Sequence, residues 1–189
     1  MATSLADLAD LVALADTSPG SYTMMETALA TREFFAARDL RDAGTLGRIS
    51  YATGEHLQNL DGYPHYWLGY PSMRYSTHAL APLLVLAEAR VTRVRCLGSS
   101  ALEQRGRSAS VTRLEPDERP DLVPEALHPH LGGDHGGSHP HLVHAFVGAI
   151  ADGRAPAVDA RMAARITAPG ICAHESAMHG GDPVEVPHY

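Results

Sequence analysis

Lysine is missing from this 189-residue sequence; all 15 basic residues are arginine. Schiff-base chemistry and a lysine acid or base are thereby excluded. Cysteine is scarce as well. Cys96 and Cys172 lie in apolar stretches without metal-type spacing, which reads as two reduced core residues of a cytoplasmic protein. Positive charge is in short supply, with a net charge of -7 and a pI of about 5.9. Nucleic acid and anionic membrane are excluded as partners on that balance, because phosphate neutralisation needs a clustered positive face. No apolar run is long enough to span a bilayer, and the acidic start from Met1 to Asp16 lacks the basic region that opens a signal peptide.

What is present is enough apolar material, 44% of residues, for one sizeable core or a core with an appendage. Leu5, Leu8, Leu11, Val12 and Ala15 recur at helical spacing, with Ser4 as the N-cap and Pro19-Gly20 as the stop. Ser21 to Glu26 reads as a strand, Thr31 to Ala43 as a helix carrying Phe34, Phe35 and Leu40, and Arg48 to Asn59 as a further strand. A loop rich in Tyr, Trp, Pro and Gly runs from Leu60 to Arg74. A helix from about Ser76 to Ala89 and a strand with Val91, Val94, Cys96 and Leu97 follow. Ser100 to Leu131 has strand character only at Ser110 to Leu114 and is expected to be irregular and mobile.

Order is expected to return at Ser138, whose hydroxyl suits an N-cap with Pro140 in the first turn. Leu142, Val143, Phe146, Val147 and Ile150 form one apolar face, expected to be the packed side of that helix. A last helix from about Val158 to Met178 is expected to be interrupted at Pro169-Gly170, and Val184 to Val186 to close the chain as a strand.

Three clusters carry chemistry. Asp61, Tyr63, His65, Tyr66, Trp67 and Tyr70 offer flat faces and polar edges that suit a polyol, although an oligomer contact or core flap uses the same residue types. His135, His139, His141 and His144 invite a metal reading, but their spacing matches no zinc signature and no cysteine or carboxylate stands with them in a ligand pattern. Glu175 and His179, four apart on a helix, read as a surface ion pair. The glycines at 132, 133, 136 and 137 lack the lysine of a phosphate loop.

The segment T-M-M-E-T from Thr23, the words R-D-A-G-T-L-G-R-I from Arg41 and G-R-A-P from Gly153, Asp159, and S-A-M-H-G-G-D-P-V from Ser176 together resemble the Gfo/Idh/MocA oxidoreductases, the glucose–fructose oxidoreductase and inositol dehydrogenase superfamily. H-G-G-S-H-P-H-L-V-H from His135 and G-I-C-A-H-E-S-A from Gly170 are similar to one subgroup of sugar dehydrogenases within it. The resemblance implies an α/β (α+β) fold whose open, mostly antiparallel sheet is flanked by helices, as in the C-terminal domain of that family. It implies residues 1–20 as a remnant of an interdomain helix and 21–189 as the substrate and oligomerisation domain, with no Rossmann domain in this chain. NAD or NADP is the cofactor of intact members; the G-x-G-x-x-G turn that holds it and the family's E-K-P lysine are both missing here, so neither cofactor nor metal is expected on this chain alone.

The family position of the catalytic histidine falls on His78, which would take the proton of a substrate hydroxyl. Where many relatives carry Asp this chain has Arg74. The resemblance makes Tyr63, His65, Tyr66, Trp67, Arg74, His135, His139 and His141 the substrate-facing set, with the loop 61–75 and the turn 132–141 meeting over one sheet edge. A sugar or polyol, a second copy of the chain and a separate Rossmann-domain chain are the partners this implies. Two other readings stay open: a non-catalytic carbohydrate-binding or assembly protein, and a histidine-based metal protein.

Overall fold

The computed structural model describes residues 2–58, 62–64, 67, 70–98, 117–133 and 135–189. Among the described residues, five α-helices follow from local signals. Helix α1 (Leu5–Thr17) begins where the Ser4 hydroxyl accepts the Asp7 N–H at 3.1 Å, and it ends just before Pro19-Gly20. Thr31 caps α2 (Arg32–Asp42) through the Phe34 N–H in the same way, at 3.3 Å. Helices α3 (Thr77–Leu86), α4 (Ser138–Ala151) and α5 (Ala160–Met178) complete the set, the last capped by the Asp159 carboxylate on the Met162 N–H at 2.9 Å. Strands β1 (Arg93–Val94) and β2 (Val184–Glu185) pair antiparallel, Arg93 opposite Glu185. The fold is thus mixed α and β, with one two-stranded antiparallel sheet among the described residues.

Helix α5 is the axis of the packing, because its alanines and glycine let neighbours approach on several sides. Ala164, Ala168, Ile171 and Cys172 meet Leu8 and Val12 of α1 together with Val186. Ala163 and Ile166 meet Ala81 of α3 and Val158, with Tyr22 and Met24 against them. A third cluster joins Ala30, Phe34 and Phe35 to Val85, Leu86, Leu122 and Leu142, which ties α2 to α3 and α4. Helix α1, expected as an interdomain remnant, is therefore part of the same core as α5. Contrary to expectation, α5 runs unbroken through Pro169. The proline is fully buried, and the tight packing around Pro169-Gly170 holds the helix where its own ladder loses a bond.

Several expected strands are extended segments without a ladder. The backbone of residues 21–26 meets the Val158 carbonyl, which accepts both the Met24 N–H at 3.0 Å and the Thr23 hydroxyl at 3.2 Å. Residues 48–58 lie against a helix instead of a strand: at Gly54 an added Cβ would sit 2.4 Å from the Ala79 carbonyl oxygen of α3. The expected strand at 110–114 lies outside the described residues. The part of the expected irregular segment that is described, 117–131, is ordered into 3₁₀ turns at Pro120–Leu122 and Glu125–His130. Arg119 fastens it to α2 through Asp39 at 2.5 Å and to Asp121 at 2.8 Å.

Helix α4 corrects two expectations. Its N-cap position belongs to Gly137, left-handed at φ +73°, where a Cβ would fall 1.7 Å from the Leu131 carbonyl oxygen; Ser138 is instead the first helical residue, with its hydroxyl buried. The buried side chains of the helix are Ser138, Pro140 and Ala149, the helix lies against the 3₁₀ turn Thr27–Leu29, and of the expected apolar face Leu142 packs with Phe34 and Phe35. Val143, Val147 and Ile150 are left 51%, 57% and 52% exposed.

Candidate functional site

Three short elements converge at one edge of α5. The 3₁₀ turn Ser72–Tyr75 lies on α5 at Gly170, where a Cβ would be 2.4 Å from the Met73 carbonyl oxygen and 2.6 Å from the Ser76 hydroxyl. Helix α3 starts directly from that turn and presents His78 in its first turn. The extended segment ending at Glu26 then passes beside α3, tied to Val158 as described.

These elements build a hydrogen-bonded chain of carboxylate, imidazole and phenol. Glu26, 1% exposed, is hydrogen-bonded to Nδ1 of His78, and it accepts the Ala28 N–H at 3.1 Å. Nε2 of His78 lies 3.1 Å from the Tyr75 hydroxyl. Burial raises the pKa of the Glu26 carboxyl, but the His78 hydrogen bond and charge, the Thr77 side chain and the Ala28 N–H outweigh it and hold the group below its ordinary 4.5. An ionised Glu26 selects the imidazole tautomer with hydrogen on Nδ1, leaving Nε2 as acceptor for the Tyr75 O–H.

Aromatic rings continue outward from this chain. Tyr75 packs edge-on to His78 and Trp67 with ring centres 5.0 and 4.8 Å apart, and Trp67 is edge-on to Tyr63 at 6.1 Å and Tyr70 at 5.9 Å. The His56 ring closes the other side, 5.1 Å from His78. Trp67, Tyr70, Tyr75 and His56 line a cavity of about 680 Å³ floored by Pro169 and Ala173 of α5 and walled by the β1 segment. Its size suits a small-molecule ligand. Tyr75 lines the cavity and His78 stands immediately behind it.

Of the residues singled out in the sequence, His78, Tyr63 and Trp67 are brought together here. His65 and Tyr66 lie outside the described residues. Arg74 is partly buried in the same turn as Tyr75, its Nε without a hydrogen-bond partner among the described residues. The histidines of the glycine turn lie elsewhere. His139 lines a separate cavity of about 590 Å³ with His130 and Pro140, and its ring is 5.0 Å from that of His135. His141 stands edge-on to Phe35 at 4.8 Å, where burial, with Arg119 and His144, lowers its pKa from the ordinary 6.5 against the opposing pull of Asp121. The loop 61–75 and the turn 132–141 therefore contribute to different concavities. His179 donates to the Glu175 backbone carbonyl at 2.8 Å, where an ion pair with that side chain was expected.

Among the described residues no group of three or more His, Cys, Asp or Glu side chains is placed to hold a metal ion. Cys172 is buried, its thiol pKa raised by burial and by Glu175, whereas Cys96, expected in the core, lines the aromatic cavity. Sequence reasoning passed over Glu26, Tyr75 and His56. The signal for Glu26 was a single acid within the apolar run Y-T-M-M-E-T-A-L; for Tyr75 it was the i, i+3 spacing to His78.

No helix among the described residues is long and apolar enough to cross a membrane. No protein-family model, curated protein or solved structure matches the chain.

Proposed function

We propose that this chain is the polyol-binding part of a sugar or polyol oxidoreductase of the Gfo/Idh/MocA type, with Tyr75 and His78 as the groups that accept the proton of a substrate hydroxyl. The observation that carries this reading is the chain Glu26–His78–Tyr75, which ends on the wall of an aromatic cavity. A hydroxyl bound against Tyr75 gives its proton to the phenol oxygen while the phenol proton passes to Nε2 of His78. The resulting imidazolium is balanced by the Glu26 carboxylate, whose depressed pKa keeps it ionised. Trp67 and Tyr70 supply flat faces for the C–H side of a sugar ring.

The nicotinamide nucleotide implied by the resemblance does not fit the described residues. The helix N-termini of α1, α2 and α5 are already occupied by the side chains of Ser4, Thr31 and Asp159, the last an anion that repels a pyrophosphate. The glycine turn before α4 follows a 3₁₀ segment, where a dinucleotide site needs a strand. The function proposed for this chain is therefore substrate binding and acceptance of the hydroxyl proton.

Trp67, the only tryptophan, reports directly on the cavity. Its emission is expected to change saturably with at least one member of a panel of aldoses, sugar acids and inositols, and Tyr75→Phe is expected to weaken the binding of that member. No saturable change with any member rejects the reading. The resemblance also implies a homo-oligomer, and the exposed apolar row on α4 supports it. Sedimentation of the same samples as a monomer at high micromolar concentration removes that part.

A further inference from the structure

We infer that the aromatic cavity takes a polyhydroxy carboxylate, a sugar acid, in preference to a neutral sugar; this rests on the polyol reading above and specifies the charge of its ligand. The chain carries 22 acidic residues against 15 arginines, so carboxylates are the commoner charged side chain. Among the described residues, the cavity lining reverses that balance. Its charged side chains are Arg93 and Arg95, His56 is the other nitrogen base, and no Asp or Glu lines it.

The two arginines differ in what they already hold. Arg93 is engaged by Glu185 across the strand pair, Nε to Oε1 at 2.5 Å. Arg95, two residues on along the same wall, has no hydrogen bond or ion pair among the described residues. A guanidinium stays charged at any working pH and presents a planar fork of donors that matches a carboxylate through two parallel hydrogen bonds. A neutral polyol leaves that fork to water.

Trp67, Tyr70 and Tyr75 of the same lining give a ring its stacking surface and place a hydroxyl at the proton-accepting chain. A guanidinium without a partner and a hydroxyl-binding group in one lining describe a ligand with a single anionic group and a hydroxylated body. A guanidinium fork also accepts a phosphate, so the sugar phosphate is the competing anion in the test.

The test is Trp67 titration with matched sets, each an aldohexose, its uronic acid and its 6-phosphate. The uronic acid is expected to bind about tenfold more tightly than the parent sugar, from one charge-assisted contact at a partly exposed site. The advantage should shrink as salt is raised. Arg95→Gln should bring acid and sugar to parity, and Arg95→Lys should retain part of the preference. Arg95 is exposed, and far-UV circular dichroism checks that each variant is folded. Equal affinity for acid and sugar, an acid preference that survives Arg95→Gln, or tighter binding of the phosphate overturns the inference and leaves the polyol reading standing. Silence from every set overturns both.

Discussion

Among the described residues Glu26 is the one charged side chain in the buried set, and its position sets the chemistry of the residues around it. A carboxylate taken out of water needs hydrogen-bond partners or it takes up a proton. Here His78, Thr77 and the Ala28 amide keep it ionised. Because its pKa in the folded chain is depressed, its contribution to stability is fully present above the ordinary 4.5 and is lost as the pH falls through the lower folded value. Urea unfolding at a series of pH values should therefore show a loss of stability on the acid side of 4.5 that Glu26→Gln flattens. At pH 7 that variant should be less stable by roughly 1 to 3 kcal/mol, since it leaves the His78 ring without its anion. An acid limb unchanged in Glu26→Gln assigns the loss to other carboxylates. Nothing local in the sequence joins Glu26 to a residue 52 positions away, so its role as the partner of His78 was not legible.

At the scale of elements, helices were legible, and of the expected strands those around Val91–Leu97 and Val184–Val186 form a pair, at Arg93–Val94 and Val184–Glu185, while 21–26 and 48–58 do not. Ser4, Thr31 and Asp159 mark helix starts through hydrogen bonds made within three residues, so the sequence contains the whole interaction. A strand requires a partner elsewhere in the chain, and the β-branched and aromatic runs at 21–26 and 48–58 found a carbonyl and a helix instead. The packed side of α4 escaped notice for a related reason: which face is buried depends on the neighbour that reaches it. A close backbone contact that positions the site is Gly170 against the turn Ser72–Tyr75. Gly170→Ala gains about 1 kcal/mol of helix propensity. It also drives a methyl toward the Met73 carbonyl at 2.4 Å, and backbone cannot swing aside as a side chain can. Overpacking of this kind costs roughly 1 to 3 kcal/mol, so the variant should be destabilised on balance. The displaced turn should also weaken ligand-induced changes in Trp67 emission. A variant as stable as the parent, with ligand response intact, would show that the turn moves freely on α5.

At the scale of the whole molecule, the question is whether α1 is an appendage or part of the fold. The sequence showed an amphipathic helix followed by Pro-Gly, a pattern that fits either case, because periodicity says that a face is buried and not against what. The structure places fully buried Leu8, with Val12, on Ala164, Ala168, Ile171 and Cys172 of α5, the same helix whose other sides carry α3 and the turn that holds Tyr75. Loss of α1 packing should therefore propagate through α5 to the site. Leu8→Ala removes a fully buried side chain and should cost about 2 to 5 kcal/mol. Trp67, which lines the cavity with Tyr75, is the distant reporter. Its emission and far-UV circular dichroism should trace a single coincident unfolding transition in the parent, and Leu8→Ala should move both midpoints together to lower urea. If the Trp67 transition stays in place while circular dichroism shows an early loss of helix, α1 unfolds on its own and the cavity is held by α3 and α5 without it.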